Sequence, residues 1–208
     1  MDQSLTLRRA RLSDLAAVDR LLQRSYPRLL RADYPPSTMV LALPIIARAR
    51  PELLASGRYF VVEAEDGDIL GAGGWSLGAP QPRNAAALRG LRGGGAAGEG
   101  PDGAERPASG GADWDRAEPG WAAQVGMGHV RHVAVDPDRV RGGVGRAIMG
   151  EVIVDALRAG VHWLDCLSTR TAVPFYGALG FRVLHEVEVP LGPGILFPAV
   201  RMMRQIAP

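Results

Sequence analysis

Three glycines, Gly142, Gly143 and Gly145, follow a short β-branched run at 130–135 and lead straight into a helical pattern. A strand, a glycine turn and a helix N-terminus together can hold an anion. The first N–H groups of the helix have no intrahelical partner, the helix dipole is positive there, and glycine lets a phosphate approach the backbone. Asp136-Pro137 ends the strand, because proline brings no N–H to a ladder. The turn is not a Walker loop, since no Lys-Ser/Thr follows the glycines, and Ile148 stands where a dinucleotide fingerprint has its third glycine. A tight turn that needs glycine only for its own conformation remains an alternative reading.

Other reactive side chains are few. His129 and His132 stand three apart on the same predicted strand, so the pleat sends them to opposite sides. His162 and His185 fall on other elements, and no cysteine cluster accompanies them, so no metal site is expected. Cys166, the single cysteine, reads as a small core thiol. A Ser-His-Asp hydrolase is unsupported, because no Gly-x-Ser-x-Gly elbow occurs.

The elements that must position these groups follow in order. Leu5 to Arg8 reads as a first strand, and Ser13 as the N-cap of a helix whose apolar face is Leu15, Val18, Leu21 and Leu22, ended by Pro27. Residues 38–50 are helical in composition, with a break or kink expected at Pro44. A short helix around 52–55 stops at Gly57. Residues 58–64 and 69–77 read as a hairpin about Asp66-Gly67. After the glycine turn, Ile148, Met149, Val152, Ile153, Ala156 and Leu157 recur at helical spacing, with Arg146, Glu151, Asp155 and Arg158 opposite and Gly160 as C-terminal cap. A strand at 161–167 precedes a short helix that ends at Leu179-Gly180-Phe181. Strands at 183–189 and 199–203, joined by a Pro/Gly-rich loop at 190–198, close the chain.

The 208 residues make one domain the first expectation. The 47% hydrophobic content contains no apolar run of about eighteen residues, which argues against a membrane span. The N-terminal residues lack the apolar stretch of a signal peptide, and a lone cysteine fits a reducing cytoplasm. The cations are all arginines, scattered, with a net charge of only +2, so nucleic-acid binding is not indicated. Residues 79–120, crowded with Gly, Ala, Pro and Arg, lack the apolar periodicity a packed element needs. They are expected to form a disordered insertion between two strands of one domain, 1–208, with Trp114 and Trp121 as anchors or a substrate cover.

At the glycine turn the chain resembles the GCN5-related N-acetyltransferases, whose acyl-CoA loop reads Arg/Gln-x-x-Gly-x-Gly/Ala after a strand ending Val-x-Pro. Here Val135-Asp136-Pro137 precedes Val140-Arg141-Gly142-Gly143-Val144-Gly145, with Val140 in place of the family's Arg or Gln. A second hallmark of the family, roughly Asn-x-x-Ala-x-x-Phe/Leu-Tyr-x-x-x-Gly-Phe, is matched by Ala172, Phe175, Tyr176, Gly180 and Phe181, with Thr169 at the Asn position.

The resemblance implies a mixed α/β domain with a twisted, mostly antiparallel sheet that splays near residues 133–135. It implies acetyl-CoA as co-substrate and no metal. Pantetheine would pair with the backbone of Val133, Ala134 and Val135, and the pyrophosphate would sit on Arg141, Gly142, Gly143, Val144, Gly145 and Arg146, with Thr169 and Phe175 completing the site. Tyr176 would protonate the departing thiolate, and His132, with Glu63 as runner-up, would accept the amine proton. The acceptor would be a small-molecule, protein or peptide amine, with a homodimer as one option for assembly and neither nucleic acid nor membrane as partner. A non-catalytic acyl-CoA-binding module on the same fold is the rival reading, and a nucleotide-phosphate binder a second.

Overall fold

The structure, a computed structural model, describes residues 5–77 and 126–207. The expected insertion at 79–120, with Trp114, and Trp121 beyond it, lies outside the described residues. Seven strands form one sheet in the order β1-β2-β3-β4-β5-β7-β6: β1 (Leu5–Arg9), β2 (Tyr59–Ala64), β3 (Ile69–Ser76), β4 (Met127–Val135), β5 (Trp163–Ser168), β6 (Arg182–Gly192) and β7 (Ile195–Gln205). Every neighbouring pair is antiparallel except β4 with β5.

Helices cover both faces. The strand β2 shows why its run is continuously apolar: Phe60 and Val62 pack under α4 (Val144–Arg158), while Tyr59 and Val61 pack under α1 (Leu15–Leu30). A half-solvated strand would have alternated apolar with polar residues. The helices α2 (Pro36–Ile46) and α3 (Pro51–Ala55) share the α1 face, and α5 (Val173–Ala178) joins the α4 face through Tyr176.

Local rules yielded to packing in several places. Pro27 does not end α1, nor does Pro44 break α2; both lie inside their helices. The last turn of α1 carries Leu30, buried with Tyr34, Met39 and Phe197, and that burial offsets the lost hydrogen bond. Ser13 is not the cap. It sits in a 3-10 turn (Leu12–Asp14), and Asp14 takes the Arg11 N–H at 2.7 Å instead. Asp155 is buried rather than solvated, accepting from Trp75 Nε1 at 2.9 Å, whereas Leu157 is exposed. Residues 190–198 are mostly not a loop: β6 and β7 pair through Gly192↔Ile195, and Gly194 makes the turn at φ +71°. Pro190 is tolerated on β6 because β6 is the sheet edge.

Candidate active site

β4 and β5 share only three rungs, Met127↔Trp163, Gly128↔Leu164 and His129↔Asp165. Both strands continue, but β5 then pairs only with β7. The β4 edge is therefore open from residue 130, earlier than the 133–135 expected.

A β-bulge bends the strand inside this opening. Two residues of β4, His132 and Val133, oppose the single Gly73 of β3, and His132 takes φ +45°. The extra residue means that simple alternation from His129 no longer fixes the side of His132. Gly73 is required opposite, since a Cβ there would lie 2.9 Å from Val133 Cγ2 and 3.2 Å from Val133 Cα. Buried Tyr59 ties the bulge down, donating from its hydroxyl to the His132 carbonyl at 3.1 Å.

The direction of the backbone groups follows from the ladder. Asp136 N–H bonds the Leu70 carbonyl at 2.8 Å. Antiparallel pairs alternate, so Val135, one residue earlier, directs its N–H and C=O away from β3. Ser25 of α1 already donates to that carbonyl at 2.8 Å.

Beyond Val135 the chain is clamped and then twisted. Asp138 N–H bonds the Asp136 carboxylate at 2.8 Å, Arg24 of α1 bonds Asp136, and Arg28 bonds Asp138 at 2.9 Å. The hydrogen bond from Arg28 holds the Asp138 carboxyl below its ordinary range. Arg141 and Gly143 adopt left-handed conformations, φ +66° and +83°, and α4 starts at Val144. Gly142 and Gly143 are exposed while Val144 is buried, so the turn presents backbone to solvent and anchors itself by one side chain. Arg141 and Arg146 are exposed beside it.

The two sequence motifs meet at this point. A Cβ on Gly145 would lie 3.2 Å from the Phe175 ring and 3.3 Å from Val135 Cγ2. Next to Phe175, Tyr176 is only 7% exposed, with edge contacts to Phe175 and Phe181 at 5.1 and 5.3 Å between ring centres. Desolvation, with Cys166 adding to it, pushes the Tyr176 phenol well above its ordinary range, so it stays a neutral O–H donor. Burial likewise pushes the Cys166 thiol up, against a nucleophilic role. Thr169 begins the 3-10 turn (Arg170–Ala172) through its carbonyl, which accepts from Ala172 N–H at 3.0 Å; its side chain makes no cap bond.

The face away from α4 carries a buried polar cluster. Gly128 packs toward Leu164, Trp75 and Val161 of the α4 side, so His129 turns to the other side, as does Asp165 between Leu164 and Cys166. Asp165 lies 3.1 Å from His129 Nδ1 and accepts from Arg201 Nε at 2.9 Å. Burial works against its ionisation, yet the bonds to His129 and Arg201 win and hold its carboxyl below the ordinary value. Nearby Arg131 donates to Ser76 Oγ at 2.8 Å; burial and the neighbouring Arg50 lower its guanidinium to about 10. Sequence reasoning missed Arg24, Ser25, Asp136 and Asp165 and used His129 only to exclude a metal; the Arg24/Arg28 spacing, one helical turn, was the available signal. Glu63 is not brought to the opening. It pairs with Thr6 on the far side of β3 and bonds Arg8 at 2.6 Å. Among the described residues no group of three or more His, Cys, Asp and Glu could hold a metal ion.

A family model described as an Acetyltransferase (GNAT) domain matches residues 108–183, which carry β4, the glycine turn, α4, β5 and α5. Residues 108–183 thus match a GNAT acetyltransferase domain. The PaiA N-acetyltransferase of Thermoplasma acidophilum, solved with coenzyme A, superposes on this chain with TM-score 0.60 at 12% identity, covering 97% of this chain and 99% of that one. The yncA structure of Salmonella typhimurium, solved with its cofactor acetyl-CoA, gives TM-score 0.56 at 18% identity over 99% and 95% of the two chains. The ribosomal-protein-S18-alanine N-acetyltransferase of Escherichia coli gives 0.54 at 16% over 99% and 96%. At such identities the likeness is one of fold. No curated protein matches the sequence. No helix among the described residues is long and apolar enough to cross a membrane.

Proposed function

We propose that this chain, as a single domain, moves an acetyl group from acetyl-CoA to a primary amine by direct attack in a ternary complex. The observation that carries the reading is the meeting of Gly145, Val135 and Phe175 where an open strand edge runs into an exposed, left-handed glycine turn. Such an edge suits the amide-bearing pantetheine arm, with Val133, Ala134 and Val135 as its backbone partners; the Val135 N–H is the group best directed for it, since Ser25 holds the carbonyl. The turn from Arg141 to Arg146 suits a pyrophosphate, through N–H groups that α4 leaves unpaired.

The neutral amine attacks the thioester carbonyl carbon, a C–N bond forms, and the carbonyl electrons move to oxygen. The tetrahedral oxyanion collapses, the C–S bond breaks, and the thiolate takes the Tyr176 proton as the phenol oxygen regains one from solvent. The amine loses its proton to a base at the opening between β4 and β5. The acceptor class covers small molecules and protein or peptide amines, the lone cysteine favours a cytoplasmic setting, and the site needs no metal. Acetyl-CoA with a panel of amines, followed by free-thiol detection, tests the reading. Acetyl-CoA binding with no thiol released on any amine would favour a non-catalytic module, and protection from thermal unfolding by ATP or NAD but not acetyl-CoA would favour a nucleotide binder.

A further inference from the structure

Nδ1 of His129 faces a carboxylate that ion pairing with Arg201 and hydrogen bonding keep ionised. An ionised carboxylate only accepts, so Nδ1 carries the proton, and in the neutral ring the Nε2 lone pair is bare. That Nε2 is buried with no hydrogen-bond partner among the described residues, on a side chain only 7% exposed. A buried nitrogen left so is destabilising, and a purely structural histidine would not require it. Asp165 itself does not depend on His129 for its place, since Arg201 of β7 already holds it.

Its place is as telling as its chemistry. His129↔Asp165 is the last rung before β4 and β5 part, and the ring lies on the face opposite α4. The acyl donor's phosphates belong, on the reading above, with the α4 terminus, so the amine comes to the other side of the opening. We infer that His129 Nε2 is the proton acceptor for the acceptor amine, directly or through one ordered water, with Asp165 as a positioning residue. The N–H bond of the attacking amine breaks, its electron pair stays on nitrogen, and the proton forms a bond to Nε2. The imidazolium is then held by Asp165 and returns the proton to solvent. The charged groups around the ring are Asp165 of β5, Arg201 of β7, Arg131 of β4, and Arg50 just before α3, whose guanidinium neighbours that of Arg131.

The inference rests on the acetyltransferase reading, and its test separates the two. With acetyl-CoA and an amine that the thiol-release panel identifies, His129→Gln lowers kcat about a hundredfold, with acetyl-CoA affinity measured separately by calorimetry unchanged, and removes the acid limb of the kcat–pH profile. Asp165→Asn lowers kcat with acetyl-CoA affinity unchanged, and nitrogen-15 NMR of that variant shows Nε2–H, because Nδ1 loses the carboxylate that fixes the tautomer. A His129→Gln variant within threefold of the parent, with the acid limb intact, overturns the assignment, and loss of the limb in His132→Asn alone passes the role to His132. Should His129→Gln fail to fold, nitrogen-15 NMR of the parent protein decides: a bare Nε2 with Nδ1–H is expected, and an Nε2–H tautomer overturns the proposal. A parent protein that binds no acetyl-CoA and releases no thiol defeats the acetyltransferase reading instead, whatever the tautomer.

Discussion

Gly145 lies against the Phe175 ring, so that a single added methyl would stand 3.2 Å from two ring carbons. This contact joins the start of α4 to α5 and brings both motifs to one point. Gly145→Val is expected to push Phe175 off the end of β4 and weaken acetyl-CoA binding at least tenfold, about 1.4 kcal/mol. Isothermal titration calorimetry measures it, and unchanged affinity in a folded variant would remove the basis of the site.

Gly143 presents a different obstacle. Nothing lies within 4 Å of a Cβ there, but φ is +83°, a conformation a β-branched residue resists. Gly143→Val should therefore reshape the turn and also cost at least tenfold in acetyl-CoA affinity. Arg141→Ala should cost less, and its effect should shrink as salt rises, because an exposed guanidinium adds only screened charge. An equal, salt-independent loss in both variants would contradict this division of labour.

Tyr176→Phe keeps the ring contacts to Phe175 and Phe181 and deletes only the hydroxyl. A fall in kcat of about a hundredfold is expected, with KM for acetyl-CoA little changed. Steady-state kinetics on the true acceptor, with chemistry rate-limiting, decide. Turnover within threefold of the parent would reduce Tyr176 to a packing residue.

Ser76, one residue before the end of the first described segment, is the register partner of His129 on β4. β3 and β4 are neighbouring strands of the sheet, so shortening the chain that links them asks for no change of register. Deletion of residues 90–111 is expected to leave the melting temperature and acetyl-CoA affinity nearly unchanged. A drop of several degrees in calorimetry would show that this stretch is a packed part of the domain.

What the sequence disclosed was local. The β2–β3 hairpin, the glycine turn, α4 and the aromatic pair of α5 each follow from a period, a breaker or a cap within a few residues. What it concealed depends on long-range pairing. Arg28 reaches Asp138 across 110 positions, and no periodicity links the two. Asp155 looked solvated because its helix position is polar; only Trp75, from another strand, makes its burial acceptable. The prolines misled in the same way, since Pro27 weakens a helix whose last turn is held by Phe197 and Met39 from elsewhere. The bulge at His132 is invisible in a β-branched run, and Gly73 was its one trace. The resemblance to a family placed both motifs correctly, yet it said nothing of the His129–Asp165 rung, because that pairing is fixed only when β4 and β5 align.

Arg141 holds a left-handed backbone, φ +66°, that a side chain of its kind normally avoids. Relieving this with glycine recovers about 1–2 kcal/mol of strain, against about 0.5–1 kcal/mol for the freedom glycine adds to the unfolded chain. The position is thus pulled two ways: selection for thermal robustness alone favours glycine, and, on the proposed function, selection for cofactor capture favours the cation. Directed evolution for heat tolerance without acetyl-CoA present should drift toward Arg141→Gly, and the same experiment run under demand for activity should hold the arginine.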